Sequence, residues 1–307
     1  MNNAVELYLD YLSNQKMYST HTIDSYAREL SVYEQFLKEN EIKKYNDVTY
    51  PMIRRYLISL RKKQLAHSSV RHHLSVLRSF YKYLISINEA DHNPFDLISQ
   101  PKIEKRLPEF LYLDEFNELV ESIDQTTSLG VRNAMILELL YATGIRCEEA
   151  TTIQLNDIDY DRNEILIHGK GNKSRYVPFN DIAKAYLLEY IEISRVELMG
   201  DKKHNYLFVN RLGDPITTRG VADIIERVSK KSTLNKHVHP HMLRHTFATH
   251  MLENGASLRV VQEILGHNSL SSTQVYTHVT MDHLKNKIND SHPSSSRKIS
   301  DDMFKKE

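Results

Sequence analysis

Apolar positions in the first hundred residues recur three and four apart. Val5, Tyr8, Leu9 and Leu12 share one helical face. Ile23, Tyr26, Leu30, Tyr33 and Leu37 repeat the pattern, with Thr20 or Thr22 available as N-cap. A third helix is predicted from about Pro51, a residue suited to a first helical turn, to Lys63. A fourth starts near Ser68-Ser69 and stacks Val70, Leu74, Leu77, Tyr81 and Leu84 on one stripe. No strand-like alternation interrupts these segments, so residues 1–90 predict a small helical bundle. Residues 91–110 read as a linker, because Pro94, Pro101 and Pro108 each disfavour helix at the residue before them. Lys102, Lys105 and Arg106 make that linker basic.

The pattern beyond residue 110 is mixed. Helical segments are predicted around 113–124 and 129–142. The period then shortens through Ile158-Asp159-Tyr160 and Glu164-Ile165-Leu166-Ile167-His168, and Arg175-Tyr176-Val177-Pro178 returns after Gly169-Lys170-Gly171-Asn172-Lys173. This predicts a small antiparallel sheet with a glycine-rich hairpin. Helical spacing resumes over 180–198 and from about 218 to 280. The expected fold is therefore mainly α with a small antiparallel β-sheet. A second domain spans 111–290, and a disordered tail, opening Ser291-His292-Pro293, runs over 291–307.

Composition narrows the class. A chain of 307 residues with 40% hydrophobic and 26% charged residues reads as soluble and globular. No stretch approaches the length of a membrane-spanning helix, so no membrane partner is expected. The start, Met1-Asn2-Asn3-Ala4-Val5-Glu6, lacks a basic region before an apolar block, so the expected compartment is the cytoplasm. The one cysteine, Cys147, excludes an intramolecular disulfide and a multi-cysteine zinc site. The balance of 40 Lys+Arg against 40 Asp+Glu argues at first against a nucleic-acid partner. Its distribution reverses that. Residues 48–88 contain no Asp or Glu but hold Arg54, Arg55, Arg61, Lys62, Lys63, Arg71, Arg78 and Lys82. Arg71, Ser75, Arg78 and Lys82 fall on one stripe of the fourth helix, apart from its apolar stripe, and such a face can track phosphates.

Candidate chemistry concentrates in the second half. In His239-Pro240-His241-Met242-Leu243-Arg244-His245, the proline opens a helix and places His241 and Arg244 one turn apart. A guanidinium fork and an imidazole near a helix N-terminus suit a phosphate. The histidines lack a two-histidine helical motif with an intervening glutamate, so no metal is expected. Tyr141-Ala142-Thr143-Gly144-Ile145-Arg146 ends a helix at glycine and sets an arginine just beyond it. Lys170 lies between two glycines in the hairpin, Leu265-Gly266-His267 ends another helix, and Tyr276 follows.

Taken in order, Arg146, Lys170, His241-x-x-Arg244, Gly266-His267 and Tyr276 resemble the tyrosine recombinase family. The length and helical N-terminal half are similar to its chromosomal Xer type. The resemblance implies a two-domain, C-shaped DNA clamp and a site-specific recombinase. It makes Tyr276 the nucleophile that forms a 3′-phosphotyrosyl link and passes strands through a Holliday junction. Arg146 and Arg244 would hold the phosphate oxygens, Lys170 would protonate the leaving 5′-oxygen, His241 would assist proton transfer, and His267 would hydrogen-bond the phosphate. Arg71, Arg78, Lys82, Lys173 and Arg175 are expected DNA contacts. The resemblance implies neither cofactor nor metal. It implies a homo- or heterotetramer with a paralogous recombinase on a double-stranded DNA site, chromosome-dimer resolution at cell division, and a DNA translocase as possible activator. It also implies a C-terminal docking helix near 281–290. A phage or mobile-element integrase is the alternative. After Arg146, Cys147-Glu148-Glu149-Ala150 departs from the family's usual Val-Ser-Glu-Leu, while Glu149 keeps the glutamate position.

Overall fold

The structure, a computed structural model, describes residues 2–98, 109–169, 174–266, 288 and 290–293. The chain divides into two compact units, Met1–Arg106 and Leu107–Glu307.

The first unit is built from α1 (Asn2–Asn14), α2 (Thr20–Glu39), α3 (Tyr50–Lys62) and α4 (His67–Ser86). Pro51 sits in the first turn of α3, as its ring geometry favours. Ser19, not Thr20 or Thr22, takes the N-cap position of α2, and its hydroxyl meets that of Thr22 at 3.0 Å. The predicted stripes meet in an aromatic core. Tyr8, Tyr33, Tyr56, Tyr81, Phe80 and Phe95 are all fully buried. A buried phenol needs a partner. Tyr33 and Tyr81 bond each other at 2.9 Å, and Tyr8 donates to Ser79 at 2.7 Å.

The expected linker is not all linker. Asn93 turns the chain by accepting from the Phe95 amide at 3.1 Å and donating to Asp96 at 2.8 Å. Phe95 and Ile98 thereby enter the first unit's core. Two apolar anchors outweigh the helix-breaking punctuation, so 91–98 belong to this unit. Residues 99–108 lie outside the described residues. At the far end Phe110 packs on His250, and the Leu111 amide donates to Thr246 at 3.0 Å, so this stretch belongs to the second unit.

The second unit surrounds α6 (Ser128–Thr143), whose residues from Gly130 to Thr143 are nearly all buried. Around it lie α5 (Leu113–Glu121), α7 (Cys147–Thr152), α8 (Asp181–Glu189), a π-helical turn (Tyr190–Ser194), α9 (Arg195–Met199), α10 (Thr218–Lys231), α11 (Pro240–Glu253) and α12 (Leu258–Leu265). Three antiparallel strands in the order β1 (Ile158–Asp159), β2 (Glu164–His168), β3 (Ser174–Pro178) complete it. His168 pairs with Ser174 at the turn end of the hairpin. The long helical stretch expected over 218–280 is broken at 232–239 and 254–257.

Most of the expected tail lies outside the described residues, but its start is packed. Ser291 and His292 are buried. His292 bonds the Tyr141 carbonyl at 3.1 Å and packs edge-on against the Tyr141 ring and tilted against that of Phe247. Disorder therefore does not begin at Ser291, because an aromatic slot on α6 and α11 accepts the imidazole. The expected docking helix is described only at Ile288 and Asp290, both helical. Among the described residues no helix is long and apolar enough to cross a membrane.

Candidate active site

Four charged side chains from three elements, α7 with its N-cap, β3 and α11, define the candidate site. Gly144 closes α6 with φ +60°, and an added Cβ there would collide with Phe247 and Leu265 at 2.4 and 2.8 Å. That tight close brings Ile145 into the core and leaves Arg146 at the N-cap of α7. The Arg146 amide donates to Glu149 Oε2 at 2.8 Å, and its Nη1 reaches Oε1 at 3.3 Å. The Arg146 side chain remains 42% exposed.

Arg244 lies one turn into α11, which Pro240 opens and whose N-cap His239 accepts from the Met242 amide at 3.2 Å. It is buried, and its guanidinium links the C-terminal ends of α6 and α12 by donating to the carbonyls of Gly144 at 2.6 Å and Leu265 at 2.7 Å. Burial, with Arg146 close by, lowers its pKa to about 10, so it stays charged at neutral pH. His241 stands on the same helix, one turn earlier and exposed.

Glu149 and Arg175 form the buried floor. Arg175 donates Nη1 and Nη2 to the two carboxylate oxygens at 2.9 and 3.0 Å, and Nε to the Ile264 carbonyl at 3.1 Å. Burial alone would raise the Glu149 pKa. The Arg175 and Arg146 hydrogen bonds overcome it and hold the carboxyl below its usual range.

The structure therefore brings together Arg146, Arg244 and, on the same helix, His241. Lys170, Lys173, His267 and Tyr276 lie outside the described residues. Two expected DNA contacts, Arg175 and Arg78, are engaged with protein acceptors in this structure. Arg175 is 9% exposed and committed to Glu149 and Ile264, which leaves it inside the protein. Arg78 is half-buried and donates to the carbonyls of Phe95 at 3.1 Å and of Ile98, so it ties down the chain after α4. Lys82 is exposed and Arg71 partly so. Glu149 was legible only as a matching letter; its four donors could not be counted from sequence. Cys147 is half-buried, and burial pushes its thiol up to about 11, so it is not a thiolate at neutral pH. Among the described residues no group of three or more His, Cys, Asp or Glu could hold a metal ion.

The chain is similar in sequence and fold to known proteins. The phage integrase family matches residues 109–283, and the phage integrase N-terminal SAM-like domain matches residues 5–88. Tyrosine recombinase XerC of Listeria innocua is 45% identical over 289 residues, covering 93% of this chain and 96% of that protein. Its counterpart in Bacillus subtilis is 43% identical over 298 residues, covering 96% and 98%. Among solved structures, the XerH site-specific recombinase bound to palindromic difH substrate matches with TM-score 0.65 and 25% identity, covering 87% of this chain and 79% of that one. A lambda integrase dimer bound to a COC′ core site shares the fold, with TM-score 0.70, 17% identity and coverage of 90% and 99%. The chain belongs to the phage integrase, or tyrosine recombinase, family and is a site-specific tyrosine recombinase of the Xer type.

Proposed function

We propose that this recombinase cuts and rejoins double-stranded DNA through a 3′-phosphotyrosyl intermediate on Tyr276. The observation that carries the reading is the arginine pair: Arg244 is anchored on two backbone carbonyls, and Arg146 is oriented by Glu149 yet partly exposed. Fixed cations of this kind suit the extra negative charge of a phosphoryl transition state. The Tyr276 oxygen attacks phosphorus, and the bond to the 5′-oxygen breaks. Lys170 supplies the proton to that leaving oxygen, His241 accepts the tyrosine's proton, and His267 hydrogen-bonds a non-bridging oxygen. The phosphotyrosyl bond retains the energy of the phosphodiester, so a second strand's 5′-hydroxyl rejoins without ATP.

Arg71, Lys82 and Lys173 contact flanking phosphates, where counterion release supplies affinity. The assembly is a tetramer with copies of itself or with a paralogous recombinase, passing through a Holliday junction. It works in the cytoplasm on chromosome dimers at cell division, with a DNA translocase as activator. The curated relatives named XerC and the XerH complex with its difH substrate support this reading. Tyr276→Phe is expected to bind the site with unchanged affinity and to form no covalent adduct on a nicked duplex. An adduct retained by the variant would overturn the assignment.

A further inference from the structure

We infer that Arg175 is a positioning residue for strand cleavage, holding Glu149 so that Arg146 stays available to the scissile phosphate. The inference rests on the reading of the site given above.

Arg175 ties together three segments distant in sequence. It rises from β3 beside the hairpin, grips Glu149 of α7 with both terminal nitrogens, and bonds the Ile264 carbonyl at the end of α12. Gly266, at φ +64°, lies against the guanidinium, and an added Cβ would sit 3.0 Å from its Nε. Each segment carries part of the site. The first turn of α7 orients Arg146, the Leu265 carbonyl holds Arg244, and the chain continues directly into His267.

Charge explains why a second arginine is needed beneath the first. Glu149 is 8% exposed, and its carboxylate accepts four hydrogen bonds, two from Arg175 and two from Arg146. Arg175 provides the shorter, two-pronged pairing, while the Arg146 side chain contributes one contact at 3.3 Å. A buried carboxylate without Arg175 would draw Arg146 down as its counterion or take up a proton. Either outcome disturbs the phosphate-facing guanidinium. The charged groups facing Glu149 among the described residues are Arg146 on its own element, Arg175 from β3 and Arg244 from α11; α12 offers carbonyls. With Arg175 in place the cluster keeps a net positive charge toward its ligand.

The experiment measures single-turnover covalent cleavage of a nicked duplex, site affinity with its salt dependence, and the pH profile, on the full chain carrying Arg175→Gln, Arg175→Lys and Arg175→Gln/Glu149→Gln. Arg175→Gln is expected to leave affinity within about twofold and its salt slope unchanged, while cleavage falls on the order of a hundredfold. Its acid limb moves to higher pH, because burial raises the Glu149 pKa and only the Arg146 contacts are left to oppose it. Arg175→Lys does not restore the rate, since one ammonium cannot make the two-pronged bond. The double variant recovers part of the loss by removing the unpaired carboxylate. A weakened affinity with a shallower salt slope and an unchanged cleavage rate would make Arg175 a DNA contact and overturn the inference. An unshifted pH profile, or full rescue by lysine, would also overturn it. Where Arg175→Gln fails to fold, the lysine and double variants decide by the same readouts. Failure of the wider reading is separate: it appears as an adduct that survives Tyr276→Phe in otherwise unchanged protein.

Discussion

The two units bury polar groups by opposite means. In the first, burial drives titratable side chains toward neutrality. His73 and Glu29 meet at 2.5 Å, yet burial pushes His73 down to about 4 and Glu29 up, while Tyr33 and Tyr81 are held far from ionising. In the second, one cluster keeps its charge against burial because its donors and acceptors are paired. Glu149 stays ionised, and Arg175 and Arg244 lie inside with their donors matched to carboxylate and carbonyl oxygens. A neutral interior supports a rigid bundle whose outer face carries the cations. A charged interior is costly unless every donor has a place. The catalytic unit meets that cost where a phosphate would be held.

The contrast is sharpest at Arg244. Arg244→Lys keeps the charge but cannot span the Gly144 and Leu265 carbonyls at once, and cleavage is expected to fall about 10²- to 10³-fold with site affinity little changed. Single-turnover assays with a binding control check this; a fall under tenfold would show that charge alone suffices there. A smaller effect is expected in the first unit. A histidine with its folded pKa depressed to about 4 binds fewer protons than in the unfolded chain, where its value is near 6.5. Stability is therefore complete above that unfolded value and is lost as pH falls toward the folded one. The expected loss is about 2 kcal/mol, since the raised Glu29 pKa acts in the opposite direction. His73→Gln should flatten the dependence in urea unfolding measured across that range, and an undiminished slope would break the comparison. Tyr33→Phe is the mildest change: losing the Tyr33–Tyr81 bond should cost about 1 kcal/mol by the same measurement, with cleavage unaltered.

Periodicity carried the four N-terminal helices and the hairpin because one-sided burial leaves a 3.6- or 2-residue record in the chain. The candidate site was partly legible for a local reason. Gly144 before Arg146, and Pro240 before His241 and Arg244, are short-range instructions for a left-handed helix end and a helix start. The intraprotein partners of Arg175 and Arg78 were not legible, because an arginine after a turn or on a helix stripe looks the same whether water or a buried carbonyl receives it. The Pro-rich break after residue 90 hid Phe95 and Ile98, whose burial depends on helices distant in sequence.

By itself the sequence determined most of the helical and strand elements, the acid-free basic stretch at 48–88, and the family-specific order of Arg146, Lys170, His241, Arg244, His267 and Tyr276. Tertiary structure alone decided which of the basic residues face outward. Glu149, Arg175 and the Gly144, Ile264 and Leu265 carbonyls come from segments up to about 120 residues apart, and the fit of donors to acceptors exists only once those segments are packed.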